Sequence, residues 1–101
     1  MAQIEILSEQ GGEVSRGAGG WAFAAQAIDD AGALHRFTLR LSWADYNLWS
    51  PDGRDSPERI AEAVLAFLVS RKDIRQLPAS FDASIARRWF ADADEAIPAL
   101  I

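Results

Sequence analysis

Residues 34–43 read Leu34-His35-Arg36-Phe37-Thr38-Leu39-Arg40-Leu41-Ser42-Trp43. His35, Phe37, Leu39, Leu41 and Trp43 fall on one side of a period of two. Arg36, Thr38, Arg40 and Ser42 fall on the other. This alternation predicts a strand with one buried and one solvated face. Upstream, residues 21–28 (Trp-Ala-Phe-Ala-Ala-Gln-Ala-Ile) put Trp21 and Phe23 on one face, although their alanines also suit a helix. Asp29-Asp30-Ala31-Gly32 between the two runs supplies a glycine for a left-handed turn position. Residues 21–43 therefore predict a β-hairpin. Residues 3–8, with Ile4 and Ile6 on one face, predict a further short strand. Residues 10–20 hold five of the seven glycines and no periodicity, so they predict a loop.

Downstream the pattern changes. Ser42-Trp43-Ala44-Asp45 has the spacing of a capping box, with Asp in place of the usual Glu or Gln, and predicts a helical turn over 43–49. Trp43, Tyr46 and Trp49, spaced by three, would lie near one another on it. Ser50-Pro51-Asp52-Gly53 is a turn signal. Ser56-Pro57-Glu58 is a helix start: Ser at the cap, Pro at the first helical position and an acid in the first turn. Ile60, Ala63, Val64, Phe67 and Leu68 follow at helical spacing, Leu65 and Val69 widen the apolar face, and Arg71 and Lys72 suit the negative end of the helix dipole. This predicts a helix over 57–71. Residues 73–80 form a connection around Pro78. A second helix is expected over 82–91, capped by Ser80 or Asp82, with Phe81, Ile85 and Trp89 spaced by four; a short turn follows from Asp92 to near Pro98. Strands come first and helices last. The expected class is α+β: a three-stranded antiparallel sheet, then a short turn and two C-terminal helices packed on one face. Trp21 and Trp89 read as core, whereas Trp43 and Trp49 flank the segment most suited to binding.

In the helical half, the order Leu41…Tyr46, Gly53, Ser56-Pro57-Glu58, Phe67-Leu68, Phe81-Asp82, Ile85 and Trp89-Phe90 resembles a family of small uncharacterised bacterial proteins. The likeness spans about residues 34–97. It is a packing pattern rather than a catalytic signature, and what it implies is a fold and no activity. The basic Arg71-Lys72 departs from that family, whose members carry an acidic residue there.

Composition excludes several classes of function. A chain of 101 residues, half apolar and a quarter charged, is expected to form a single domain over 1–101, neither disordered nor membrane-embedded. No run approaches the ~20 apolar residues of a membrane span. There is no cysteine and one histidine, so disulfide scaffolds, cysteine-ligated metals and multi-histidine metal sites are ruled out. The N-terminal Met1-Ala2-Gln3-Ile4-Glu5 lacks the basic and apolar regions of a secretory signal, and with the absence of cysteine this suggests the cytoplasm. Nine of the ten basic residues are Arg and nineteen residues are Ala, a bias that points to a GC-rich bacterial genome. The net charge of −5 is spread along the chain and is opposite in sign to that of a general nucleic-acid binder.

The chemistry-bearing residues are few. His35 is the single histidine, and without an accompanying Ser or Cys nucleophile signature it reads as a structural histidine rather than a general base. Asp45, Asp52 and Asp55 could offer oxygens to a hard cation, but their spacing is not that of a calcium loop, and turn and cap roles account for all three. Gly17-Ala18-Gly19-Gly20 precedes a strand, the wrong order for a phosphate cradle. Arg36 and Arg40 share the polar face of the best strand. With Arg16 they could hold an anion or single-stranded nucleic acid, or be a solvated face paired with Glu5, Glu13 or Asp29; the net charge favours the latter. Trp43, Tyr46 and Trp49 either line a binding surface or cap one end of the core. No catalytic residue, metal or cofactor is expected. The leading expectation is a non-catalytic interaction module that binds a protein partner or itself as a homodimer. The rivals are an enzyme or small-anion binder using Arg36, Arg40, Asp45 and the aromatic cluster, and a nucleic-acid accessory protein.

The helix at 57–71 is expected to lie on the sheet face carrying Trp21, Phe23, Phe37, Leu39 and Leu41. Phe67→Ala should then lower stability by roughly 3–5 kcal/mol, read as a shift of the denaturant midpoint. An unchanged midpoint rules the packing out.

Overall fold

The alternation in residues 34–43 becomes a strand in the computed structural model, which describes residues 3–10 and 20–101. Strand β3 (Leu34–Ser42) pairs antiparallel with β2 (Gly20–Ile28), and β2 pairs antiparallel with β1 (Gln3–Gln10). The hairpin turn is built as its residues suggest. Gly32 N–H donates to the Asp29 carbonyl at 2.9 Å, and Gly32 itself sits at φ +85°, a conformation that strains any side chain. The expected glycine loop lies, but for its two ends, outside the described residues, as do Arg16 and Glu13.

Next comes α1 (Trp43–Trp49), with the Ser42 hydroxyl accepting from the Asp45 N–H at 3.1 Å as the capping spacing predicts. Helix α2 (Pro57–Arg71) is capped by Ser56, whose hydroxyl accepts from the Arg59 N–H, and carries Pro57 in its first turn. A single 3-10 turn (Ile74–Gln76) then leads to a strand that the sequence did not announce, β4 (Ser80–Asp82). Two short helices follow, α3 (Ile85–Trp89) and α4 (Ala93–Ala99).

The sheet therefore has four strands in the order β1-β2-β3-β4, and it is mixed, because β4 runs parallel to β3. This corrects the expected three-stranded antiparallel sheet. A parallel neighbour needs a crossover of a dozen or more residues, and α1, α2 and the 3-10 turn supply it. Three residues are too few to show a period of two, and Ser80 and Asp82 read equally well as helix caps. The strand displaces the start of the second helix from 82 to 85. Asp82 accepts from the Ser84 N–H at 3.1 Å, shaping the turn into α3.

Odd-numbered residues of β2 and β3 face the core. Phe23, Ala25, Ala27, Phe37, Leu39 and Leu41 are buried, joined by Phe81 of β4. In β1 the core-facing residues are Ile4 and Ile6, and a bulge follows that leaves Leu7 exposed. Helix α2 covers this face. Its predicted stripe of Ile60, Ala63, Val64, Phe67 and Leu68 is buried throughout, and Leu65 with it. The two C-terminal helices pack chiefly on α2 and α1 rather than on the sheet. The other sheet face is open, with Gln3, Glu5, Arg36 and Ser80 exposed. Among the described residues, no helix is long and apolar enough to cross a membrane.

One glycine is fixed by a close approach. A Cβ on Gly20 would lie 2.1 Å from the Leu41 carbonyl oxygen and 2.8 Å from the Ser42 Cα, both backbone atoms that cannot swing aside. Gly20 pairs with Ser42 at the end of the β2–β3 ladder, directly before α1. Gly20→Ala should cost about 2–3 kcal/mol by overpacking, measured by urea denaturation. A loss within ~0.5 kcal/mol, the range of an indifferent surface substitution, would show that the two strand ends are free to part.

Candidate functional site

Helix α1 sorts the aromatic cluster by simple geometry. Each residue advances about 100° around a helix, so a spacing of three falls short of a full turn and drifts by about 60° at each step. Trp43 and Tyr46 remain neighbours, with ring centroids 6.2 Å apart, but Trp49 lies about 120° from Trp43. The inward residues are Asp45, Tyr46 and Trp49, all buried. The outward residues are Trp43, Ala44, Asn47 and Leu48, all exposed. Trp49, read from the sequence as flanking a binding segment, is only 2% exposed and belongs to the core. Trp43 is 52% exposed and Leu48 48%.

The structure adds a residue to the cluster. Trp21, at the start of β2, lies 4.5 Å from Trp43 and 5.2 Å from Tyr46 by ring centroids. It is half-buried and forms a wedge between the sheet and α1. The register that sets Trp21 opposite Leu41, two residues before Trp43, makes this contact. The parity of Trp21 on the core face was the available signal, but which end of the helical layer it meets depends on the register. Trp89 goes the other way. It was expected in the core and is exposed, with the Lys72 ammonium 4.8 Å from its ring centroid, because α3 starts late and turns Ala86 inward instead.

The inner face of α1 is pinned by charge. Arg87 of α3 donates from Nη2 to buried Asp45 at 2.8 Å and from Nε to Asp94 of α4 at 3.0 Å. The Trp49 indole N–H donates to the same Asp94 oxygen at 3.0 Å, and the guanidinium lies 5.3 Å from the Trp49 ring centroid. Donation from Arg87 and then from Trp49 holds the Asp94 carboxyl below its ordinary range. Tyr46 Oη donates to the Asp55 carbonyl, and the Ser50 hydroxyl donates to the Asp55 carboxylate at 3.2 Å. One arginine thus joins three helices around a tryptophan. Asp45 completes only half of the capping box, its carboxylate turning to Arg87.

The remaining candidates are dispersed. Arg36 and Arg40 lie on the open sheet face, the opposite side from Phe37, Leu39 and Leu41, so they do not share a cavity with Tyr46 and Trp49. Arg40 donates to the Ser80 hydroxyl at 2.8 Å, and Gln26, between Arg36 and Glu5 in register, donates to Glu5 at 2.8 Å. Asp45, Asp52 and Asp55 bind separately to Arg87, to the Arg54 N–H and to Ser50. No group of three His, Asp or Glu is placed to hold a metal among the described residues. His35 Nε2 lies 2.9 Å from the Asp29 carboxylate. Asp29 also accepts the Ala31 and Ala33 N–H groups, so the histidine braces the hairpin turn. Donation from His35, then from the Ala33 N–H, keeps the Asp29 carboxyl low.

At the far end of β3 from α1, some ~27 Å away by strand rise, the surface carries a groove of about 940 Å³. Its floor is aliphatic: Ile4, Ala66, Val69, Ile74 and Leu100. Of the charges around it, Lys72 lies over the Trp89 ring and three others are paired within the protein. Asp29 is with His35, and Arg75 donates to Asp73 at 2.7 Å, which together with the Arg75 backbone N–H lowers the Asp73 carboxyl to about 2.

No family model, curated protein or solved structure compared with this chain matches it. The resemblance of residues 34–97 to small bacterial proteins thus gains no support from a family model.

Two measurements test the charge network. Arg87→Met leaves Asp45 buried without its cation and should cost about 2–3 kcal/mol, below the 3–5 of a fully buried pair because solvent reaches the guanidinium. Asp45→Asn should cost less, since Arg87 keeps Asp94. Equal costs would contradict this reading. The acid limb follows from Asp29, Asp73, Asp92 and Asp94, all held below their ordinary value of 3.8. Carboxylates depressed in the folded state contribute fully above the unfolded value and lose that contribution as pH falls through the folded one. The denaturation midpoint should therefore fall between about pH 4 and the Asp73 value of about 2. A midpoint flat over that interval overturns the assignment.

Proposed function

We propose that this chain is a non-catalytic interaction module whose binding surface is the outer stripe of α1, engaging a protein partner or a second copy of itself. The observation that carries the reading is the exposure of both Trp43 and Leu48 on a helix whose inner face is fixed by Arg87, Asp45 and Trp49. A large aromatic on a rigid support loses little freedom on binding, and tryptophan is enriched among residues that dominate interface energies. Trp21 backs Trp43 from the sheet side, so the anchor is positioned before a partner arrives.

The other readings have less support. The groups that could do acid–base chemistry are committed to structural partners, His35 to Asp29 and Asp45 to Arg87. An anion held by Arg36 and Arg40 would have no aromatic wall, because Tyr46 and Trp49 lie beneath the opposite sheet face. A nucleic-acid role would have to act against a net charge of −5.

The test is light scattering over a range of concentrations, together with affinity capture from the source organism. The wild-type chain is compared with Trp43→Ala and Leu48→Ser. Each substitution should weaken self-association or partner retention about tenfold or more, equivalent to ~1.4 kcal/mol. Leu48→Ser should leave the denaturation midpoint nearly unchanged, as an exposed side chain allows. Binding that survives both substitutions, or a wild-type chain that stays monomeric and retains nothing, refutes the proposal.

A further inference from the structure

We draw no further inference here: the strongest candidate, the aliphatic groove of about 940 Å³ between the Asp29–Ala31 turn and the C-terminal end of α2, carries none because nothing in the structure shows what covers its floor.

Discussion

The structure depends on covering one face of the sheet with one helix. A few strands with a bare apolar face are not stable in water. The face formed by Phe23, Phe37, Leu39 and Leu41 is closed by the stripe that runs from Ile60 to Leu68 along α2. The sheet is shaped to receive a helix. Ala25 and Ala27 keep the β2 surface low where larger residues on its neighbours rise around it, and Ala61 and Ala63 do the same for the helix. Once α2 lies across the sheet, the chain has been carried past β3. The polypeptide can then return beside β3 only in the parallel sense, and β4 takes that place.

The same covering decides what α1 can offer. Because α2, α3 and α4 fill the layer, a seven-residue helix at its edge must present one side to them and the other to solvent. Asp45 meets Arg87 on the inner side, and Trp49 meets Asp94. A charge buried in this way is tolerated because it is paired and hydrogen-bonded, and the pairing gives a short helix, marginal by itself, a fixed orientation. Trp43 and Leu48 are left outside. The surface proposed above for a partner thus follows from where the buried charge points. The open sheet face differs in kind: its side chains bond to one another, Gln26 to Glu5 and Arg40 to Ser80, as on a solvated sheet.

Much of the fold was legible because strong periodicity and local chemistry agreed with the tertiary solution. Residues 57–71 carried a cap, a proline at the first position and a continuous stripe, and the helix has those bounds. Ser42 and Gly32 acted locally, through a hydroxyl on a backbone amide and a positive φ, so their roles could be read without knowing the fold. The second half of the candidate site was different. Trp43, Tyr46 and Trp49 looked alike at a spacing of three, yet helix drift and the position of Arg87, 42 residues beyond Asp45, made one of them surface and another core. Trp49 and Trp89 exchanged expectations, the first entering the core and the second the surface, while Trp21 packs against the core as its parity suggests.

The sequence by itself determined the class of the protein: strands first, a long amphipathic helix after them, and no equipment for cysteine or multi-histidine metal chemistry. Those properties rest on composition and on interactions within a few residues, which every conformation of the chain shares. Only the tertiary structure decided the fourth strand, the partner of Asp45, the place of Trp21 in the aromatic cluster and the outward turn of Trp43. Each depends on contacts between residues distant along the chain. Such contacts exist only after the helix has settled on the sheet, and so leave no periodic trace in the sequence.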